Sequence, residues 1–267
     1  GEPNRLIFGT LKALALQEDV RAVVLFFDQI PNAETASLCH SLDSENVRFN
    51  YRSLEPCGIS RARNTAIRAC RTETLLFIDA DAIPDPGWAA SLAGTLLQDN
   101  VGIAGGRILP VWHRPPLLIS KARIVFEQYS MLDFGNGVLE VPRVVGASFG
   151  VHLERLGQEA RFDEDLGRQD GLLLGGEESD LCTRTQAAGL QRLYQGKAVV
   201  HHQVLPERIR YRWIFRRLFY AGVNRALRGG MPSPSHRMAL WDYVFMPLVM
   251  IPYALGYLKG SQLRRQS

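Results

Sequence analysis

Two aspartates, Asp79 and Asp81, follow directly after the apolar run LLFI at residues 75–78. Such a run predicts a buried strand, and open α/β sheets place their ligands at the carboxyl ends of central parallel strands. Because residues two apart in extended backbone point to the same side, the two carboxylates suit a hard divalent cation that would neutralise a departing diphosphate. The alternative is that both acids only cap the strand before a proline-rich turn. A bare Asp-x-Asp leaves the two interpretations open.

A second acidic group follows two glycines in the segment GGEESD at residues 175–180. Glycines let the chain turn tightly, and a carboxylate at a helix start could serve as general base for an acceptor hydroxyl. Acids in a first helical turn are also stabilised by the helix dipole and need no further role. Taken alone, the motif favours that structural role.

A histidine pair, His201 and His202, closes the apolar run AVV at residues 198–200. A neutral imidazole at the carboxyl end of this predicted strand could complete a metal site begun by the aspartates. Such a pair more often serves packing or lies at the surface, and the sequence leaves both alternatives open.

Apolar runs alternate with helical patterns, which predicts an α/β fold with βαβ units. The first run, RAVVLFFD, is nearly continuous, as expected of a strand buried on both faces of a parallel sheet. The predicted strands are residues 21–28, 74–79, 101–110 and 144–151, with one or two short strands in 190–202. The predicted helices are residues 1–19, 58–70, 88–98, a stretch after the first strand and one opened by Gly175 and Gly176.

The composition indicates a folded protein of one large domain with an appendage. The chain has 267 residues, 46% of them hydrophobic, which is long enough to bury a full core. Its net charge of +4 is modest but includes a cluster of arginines, so we expect a local basic surface on a protein that is not basic overall, and no nucleic acid partner. Four scattered cysteines, none in a metal-binding spacing, fit a reducing, cytosolic setting.

The last sixty residues differ in character from the rest. Seven arginines and one glutamate lie between Glu207 and Arg228, and the pattern at 208–222 is typical of a helix at an anionic membrane surface. Residues 238–260 are long and apolar enough to cross a bilayer, but Pro247 and Pro252 interrupt them. We therefore favour a helical hairpin or re-entrant element, and we place a domain boundary between residues 1–205 and 206–267.

Taken together and in this order, these motifs resemble family 2 glycosyltransferases of the GT-A fold. The resemblance extends from about Val23 to Arg228 and rests on five segments: GISRARN (58–64), LLFIDADAIPDPGW (75–88), VVGASFGVHLERL with RFDEDLG, LLLGGEESDLCTRTQAAG and AVVHHQVLPER (198–208). It implies a Rossmann-like mixed sheet flanked by helices, with an amphipathic and apolar helical tail.

The resemblance also implies a donor site. Asp28 would contact the nucleobase, and Arg63 with Asn64 would help to frame the donor. Asp79 would approach the ribose or a metal-bound water, whereas Asp81 would ligate Mn²⁺ or Mg²⁺ directly. These roles predict a nucleotide-sugar donor, with a UDP-sugar as the first expectation.

A metal ligand and a base complete the implied machinery. His202 would bind the cation from the other side. Glu178 occupies the catalytic-base position, where the family usually has Asp, so Glu177 or Asp180 could substitute for it. The expected reaction is a single displacement with inversion, to a glycan or lipid-linked acceptor, at the cytoplasmic face of a membrane.

One departure from the family concerns its first strand. The chain begins at what would be the helix after that strand, so we expect either a truncated product or a sheet completed differently. Removing a central strand leaves backbone groups and apolar faces without partners.

Two other functions remain as alternatives. A phosphohydrolase of the haloacid dehalogenase type also places Asp-x-Asp after an apolar strand, although normally on its first strand and without Ile83 at this position. A degenerate glycosyltransferase that serves as a scaffold would keep the fold without turnover.

Overall fold

A computed structural model describes residues 2–166, 175–227 and 240–265 of the chain. The strands are β1 (Ala22–Asp28), β2 (Val47–Ser53), β3 (Thr74–Ile78), β4 (Ala82–Pro84), β5 (Val101–Val111), β6 (Val138–Glu140), β7 (Ser148–His152) and β8 (Gln191–Gln203). The helices are α1 (Glu2–Ala15), α2 (Ala33–Ser41), α3 (Ile59–Ala69), α4 (Trp88–Leu96), α5 (Leu117–Lys121), α6 (Leu153–Leu156), α7 (Glu177–Ala187), α8 (Tyr211–Leu227) and α9 (Leu240–Arg264), with 3₁₀ turns at Arg123–Tyr129 and Gly157–Glu159.

The described residues form two compact units. The larger contains residues 2–109, 132–166 and 177–203, and the smaller contains 110–131, 175–176, 204–227 and 240–265. Residues 110–131 thus group with the carboxyl-terminal segment, and the domain boundary between residues 205 and 206 stays a prediction.

The larger unit carries the mixed α/β architecture expected from the sequence. Six strands form one sheet in the order β3-β7-β5-β8-β4, with β6 paired to β8, and β1 pairs in parallel with β2 in a second sheet. Among the described residues, β1 and β2 pair with no other strand. Apolar side chains of both sheets and of α1, α2 and α4 share one core cluster.

Three predictions about strands are wrong. β1 is not buried on both faces, because Val23 is 61% exposed. β3 is not a central parallel strand, because it lies at one end of the sheet and pairs antiparallel with β7. The strand expected at 144–151 begins only at Ser148. An apolar run shows that a strand is at least half-buried, but it does not reveal the strand's neighbours.

Strand β2 was missed because its pattern alternates. In VRFNYRS, Val47 and Phe49 are buried whereas Arg48 and Arg52 are exposed. Alternation of this kind belongs to a strand with one solvated face, whereas the strands predicted from the sequence are continuous apolar runs. At residues 190–202 one or two short strands were predicted, but the structure has one long strand, β8 (Gln191–Gln203).

The smaller unit is built around two helices in backbone contact. A Cβ atom added at Gly222 of α8 would lie 2.7 Å from the amide nitrogen of Tyr257, and one at Gly260 of α9 would lie 2.6 Å from the carbonyl oxygen of Val223. At Gly256 it would overlap the carbonyl group of Phe219. Glycine therefore permits the close approach of α8 and α9.

Helix α9 continues through both of its prolines. The break expected at Pro247 and Pro252 is absent, since both lie inside α9. A proline removes one helical hydrogen bond, but Val249, between the two, is 2% exposed in the core of this unit. The packing of this helix in the core thus outweighs the cost of the hydrogen bonds that the prolines remove. Among the described residues, no helix combines the length and apolar character that a membrane span needs.

The helix contact gives a stability prediction. We expect Gly256→Ala to lower the free energy of unfolding by about 1–3 kcal/mol, because the new methyl group overlaps backbone that cannot move aside. Gly94→Ala is the matched control: Gly94 also lies inside a helix, but its Cβ would meet nothing within 4 Å. There the same change should stabilise by about 0.5–1 kcal/mol. Urea unfolding followed by circular dichroism measures both, and equal effects would contradict the contact.

Candidate active site

The turn that carries the two aspartates follows β3 directly. The amide of Asp79 donates to the carbonyl of Ala147 at 3.2 Å, and the amide of Ala82 donates back to the carbonyl of Asp79 at 3.0 Å. The hydroxyl of Thr10 on α1 donates to the carbonyl of Ala80 at 2.9 Å. The aspartates thus lie in a turn. The expectation that an extended backbone aligns their side chains is therefore wrong.

Pairing of β4 with β8 brings His202 to this turn. Ala82 lies opposite His202 in the antiparallel register, and the amide of Gln203 donates to the carbonyl of Asp81 at 2.8 Å. Nε2 of His202 lies 3.3 Å from Oδ1 of Asp81. Ligand atoms of Asp79, Asp81 and His202 all lie within 4.8 Å of one another. The three predicted metal-binding residues are therefore together.

This cluster fits a divalent cation in its donor set. Two carboxylates and one imidazole suit a first-row divalent ion such as Mn²⁺, and carboxylates alone also bind Mg²⁺. In the part of the chain that the structure describes, Nδ1 of the buried His202 has no hydrogen-bond partner. Burial raises the pKa of Asp79, with the charge of Arg63 opposing that shift. A bound cation would offset the cost of burying the ionised carboxylate of Asp79.

His201 stays outside the cluster. Neighbouring residues of a strand point to opposite faces, so its imidazole lies away from that of His202. Nε2 of His201 lies 3.0 Å from Oδ1 of Asp85, in a partly exposed pair. Of the histidine pair, only His202 adjoins the aspartates.

A buried guanidinium holds the two glutamates that begin α7. Nη1 of Arg63 donates to Oε1 of Glu178 at 2.9 Å and to Oε1 of Glu177 at 3.3 Å. Nη2 donates to the carbonyl of Gly146 at 3.3 Å. The side chains of Arg63 and Glu177 are 8% and 6% exposed, whereas that of Glu178 is 18% exposed. Glu178 is thus the more accessible acid of the pair.

Three phenylalanine rings surround the same guanidinium. Cζ of Arg63 lies 5.3 Å from the ring centroid of Phe149, 5.4 Å from that of Phe162 and 6.0 Å from that of Phe77. Distances up to about 6 Å allow cation–π attraction. We call Phe77, Phe149 and Phe162 the phenylalanine box. No sequence signal singled them out, because buried phenylalanines are ordinary core residues.

Asn64 fixes one wall of this box. Its side-chain amide donates to the carbonyl of Phe162 at 2.9 Å and accepts from the amide of Phe162 at 2.7 Å. Arg63 and Asn64 therefore make these contacts with protein groups in the interior. Their expected role in framing a donor stays a prediction.

The two glutamates, Glu177 and Glu178, differ in their pKa. Burial, followed by the charge of Glu178, raises the pKa of Glu177 to about 7. Burial acts in the same direction on Glu178, but the Arg63 guanidinium outweighs it and holds the pKa of Glu178 below its ordinary value. At neutral pH, Glu178 is therefore the ionised carboxylate.

Asp28 lies at the end of β1. Its Oδ2 accepts from the hydroxyl of Tyr51 at 2.9 Å, and its Oδ1 accepts from the amide of Ile30 at 3.0 Å. These bonds fix the carboxylate at the carboxyl edge of the two-stranded sheet. Its expected contact with a nucleobase stays a prediction.

The raised pKa of Glu177 predicts how stability changes with pH. Between the ordinary pKa of 4.5 and the folded value of about 7, the native state holds an extra proton. The stability that this proton contributes is fully present below the ordinary pKa of 4.5, and it is lost as pH rises through the folded pKa of about 7. We expect Glu177→Gln to gain stability relative to the parent between about pH 5 and about pH 8. Urea unfolding at both pH values tests this.

The control for that experiment is Glu154→Gln, which removes a charge from an exposed helix position. Its stability difference from the parent should be the same at both pH values. A Glu177→Gln difference that is equally independent of pH would contradict the buried, protonated state of Glu177.

Residues 6–119 match the family described as "Glycosyl transferase family 2". The pre-mycofactocin glycosyltransferase of Mycobacterium tuberculosis is 28% identical over 201 residues, which are 74% of this chain and 41% of that protein. The glucosyl-dolichyl phosphate glucuronosyltransferase of Haloferax volcanii is 23% identical over 176 residues, 63% of this chain and 55% of that protein. The chain thus spans about half the length of these relatives, or less.

A solved structure shares the fold. The mannosyltransferase PcManGT from Pyrobaculum calidifontis, in complex with GDP-Man and Mn²⁺, gives a TM-score of 0.59 at 20% identity, over 97% of this chain and 72% of its own. The expected GT-A fold is confirmed, and the dehalogenase alternative finds no support. The family match over residues 6–119, the two relatives and the shared fold together support the resemblance of this chain to family 2 glycosyltransferases.

Proposed function

We propose that the protein transfers a sugar from a nucleotide-sugar donor to an acceptor hydroxyl, with inversion and with a divalent cation at Asp79, Asp81 and His202. The observation that carries this proposal is the convergence of these three side chains from the turn after β3 and from β8. PcManGT, of the same fold, is in complex with GDP-Man and Mn²⁺. When bound, Mn²⁺ or Mg²⁺ would stabilise negative charge on the leaving diphosphate.

Glu178 is the group proposed to accept the proton. The acceptor O–H gives its proton to the Glu178 carboxylate, its oxygen bonds to the anomeric carbon, and the bond from that carbon to the diphosphate breaks. Among the alternatives, Glu177 is more deeply buried, and Oδ2 of Asp180 accepts from Nε of Arg184 at 2.9 Å. The accessible, ionised Glu178 best fits the role.

The donor and acceptor are proposed by class. Asp28 would meet the nucleobase, and a UDP-sugar remains our first expectation for the donor. The two curated relatives are named for pre-mycofactocin and for glucosyl-dolichyl phosphate, which supports a glycan or lipid-linked acceptor here.

A membrane surface is the proposed partner of the smaller unit. From residue 208 to the end, the sequence has eleven lysines and arginines and one acid, Asp242, whose side chain is buried and accepts from the amide of Ile124 at 2.7 Å. Six apolar residues spaced three or four apart on α9 are each at least 42% exposed: Leu240, Val244, Leu248, Ile251, Leu255 and Leu258. An exposed apolar stripe beside basic groups suits a helix lying in the plane of an anionic bilayer.

The cytoplasmic face is the proposed location. All four cysteines, Cys39, Cys57, Cys70 and Cys182, are free thiols, as in a reducing compartment. Anionic lipids are also concentrated on that leaflet.

Calorimetry of nucleotide binding tests the donor site. We expect one of UDP, GDP and dTDP to bind with Mn²⁺ present and to lose at least about tenfold in affinity in Asp81→Ala, because a direct metal ligand is gone. Asp99→Ala, at an exposed position, is the control and should bind as the parent does. Equal binding with and without Mn²⁺ would contradict the metal site.

Vesicle co-sedimentation tests the membrane surface. We expect the parent to sediment with phosphatidylglycerol-containing vesicles, less so with phosphatidylcholine alone or at high salt, because both apolar burial and charge contribute. Ile251→Glu with Leu255→Glu should abolish sedimentation. Leu16→Glu, a change of the same kind at one exposed residue of the larger unit, should not. A parent that stays in the supernatant would overturn this part of the proposal.

A further inference from the structure

The space for the Glu178 carboxylate depends on a glycine. A Cβ atom added at Gly146 would overlap Oε1 of Glu178, and it would lie 2.7 Å from Nη2 of Arg63. Neither atom can retreat easily, because Arg63 and Glu178 are bonded to each other at 2.9 Å in the interior. Any side chain at position 146 must therefore displace this ion pair.

The other partner of Glu178 is equally constrained. The guanidinium of Arg63 lies in the phenylalanine box, whose rings contact one another with centroids of Phe77 and Phe149 4.8 Å apart. Asn64, next to Arg63 in α3, fixes the backbone of Phe162 through two hydrogen bonds. A planar guanidinium held in this way presents its N–H groups in fixed directions.

We propose that Gly146 and Arg63 are positioning residues that set where the Glu178 carboxylate stands. This proposal rests on the proposed function of Glu178 as base. Glutamate is one methylene longer than the aspartate that the family resemblance leads us to expect, and Gly146 leaves room for that extra length. A base must be within hydrogen-bond reach of the proton it takes, and a displacement of about 1 Å can cost about 100-fold in rate.

Nucleotide release from UDP-GlcNAc and GDP-mannose with Mn²⁺ measures the effect, with water standing in for the acceptor. We expect Gly146→Ala to lower kcat about 100-fold while the donor KM and the calorimetric affinity for the nucleotide stay within about twofold. Gly94→Ala, the same change in open space, is the control and should keep the parent's kcat.

A second substitution distinguishes displacement from general damage. In Gly146→Ala/Glu178→Asp, the shorter acid withdraws from the new methyl group, so kcat should recover at least about tenfold over Gly146→Ala. Damage to the fold would not be repaired in this way. Failure of the double variant to exceed the single one would overturn the role of Gly146.

Arg63→Lys tests the other positioning residue, also if Gly146→Ala fails to fold. A lysine keeps the charge but not the fixed fork, so kcat should fall about tenfold at unchanged nucleotide affinity. The acidic limb of the kcat profile should move to higher pH, because the bond to Glu178 weakens. A raised donor KM and weaker nucleotide binding at unchanged kcat would instead assign Arg63 to the donor and overturn the proposal.

The proposed function and this inference fail in different ways. A parent that neither binds a nucleotide nor releases one from either donor overturns the proposed function and, with it, the positioning roles. A parent that turns over while Gly146→Ala and Arg63→Lys match it in kcat overturns the positioning roles alone.

Discussion

A guanidinium taken out of water must find opposite charge and hydrogen-bond acceptors, or the fold that buries it is lost. Arg63 meets this requirement with Glu177, Glu178 and the carbonyl of Gly146. The need for that pairing fixes α3 against the start of α7 and holds the loop before β7 close to both. The three segments thus meet at this one charge.

The same charge links the two halves of the candidate site. Arg63 opposes the effect of burial on the pKa of Asp79, in the metal cluster, and also on that of Glu178, in the acid pair. Burial and mutual repulsion would otherwise favour protonated acids at both places. The guanidinium thus lets several carboxylates gather in one partly buried region, where a bound cation and the proposed base would need them ionised.

The sequence predicted which acidic and histidine side chains lie together better than it predicted the arrangement of the strands around them. The order of motifs was sufficient to bring Asp79, Asp81 and His202 together, because each follows or ends a recognisable strand. The place of β3 at the sheet's end was not predictable, since an apolar run does not encode its neighbours. Nor was the ion pair of Arg63 with Glu178, which joins residues 115 positions apart. Gly146 lies in a run that predicted only a strand, so its contact with the acid pair was not predicted either.

The hydroxyl of Thr10 gives the amino-terminal helix a part in the metal site. By donating to Ala80, between the two aspartates, it makes α1 the support on which their turn rests. Such coupling is reciprocal in free energy, so whatever orders the turn also orders the helix. A ligand at the aspartates would then slow hydrogen exchange in α1, and fraying of α1 would weaken the binding of that ligand. On this contact, the first helix and the turn of the two aspartates would open and close together.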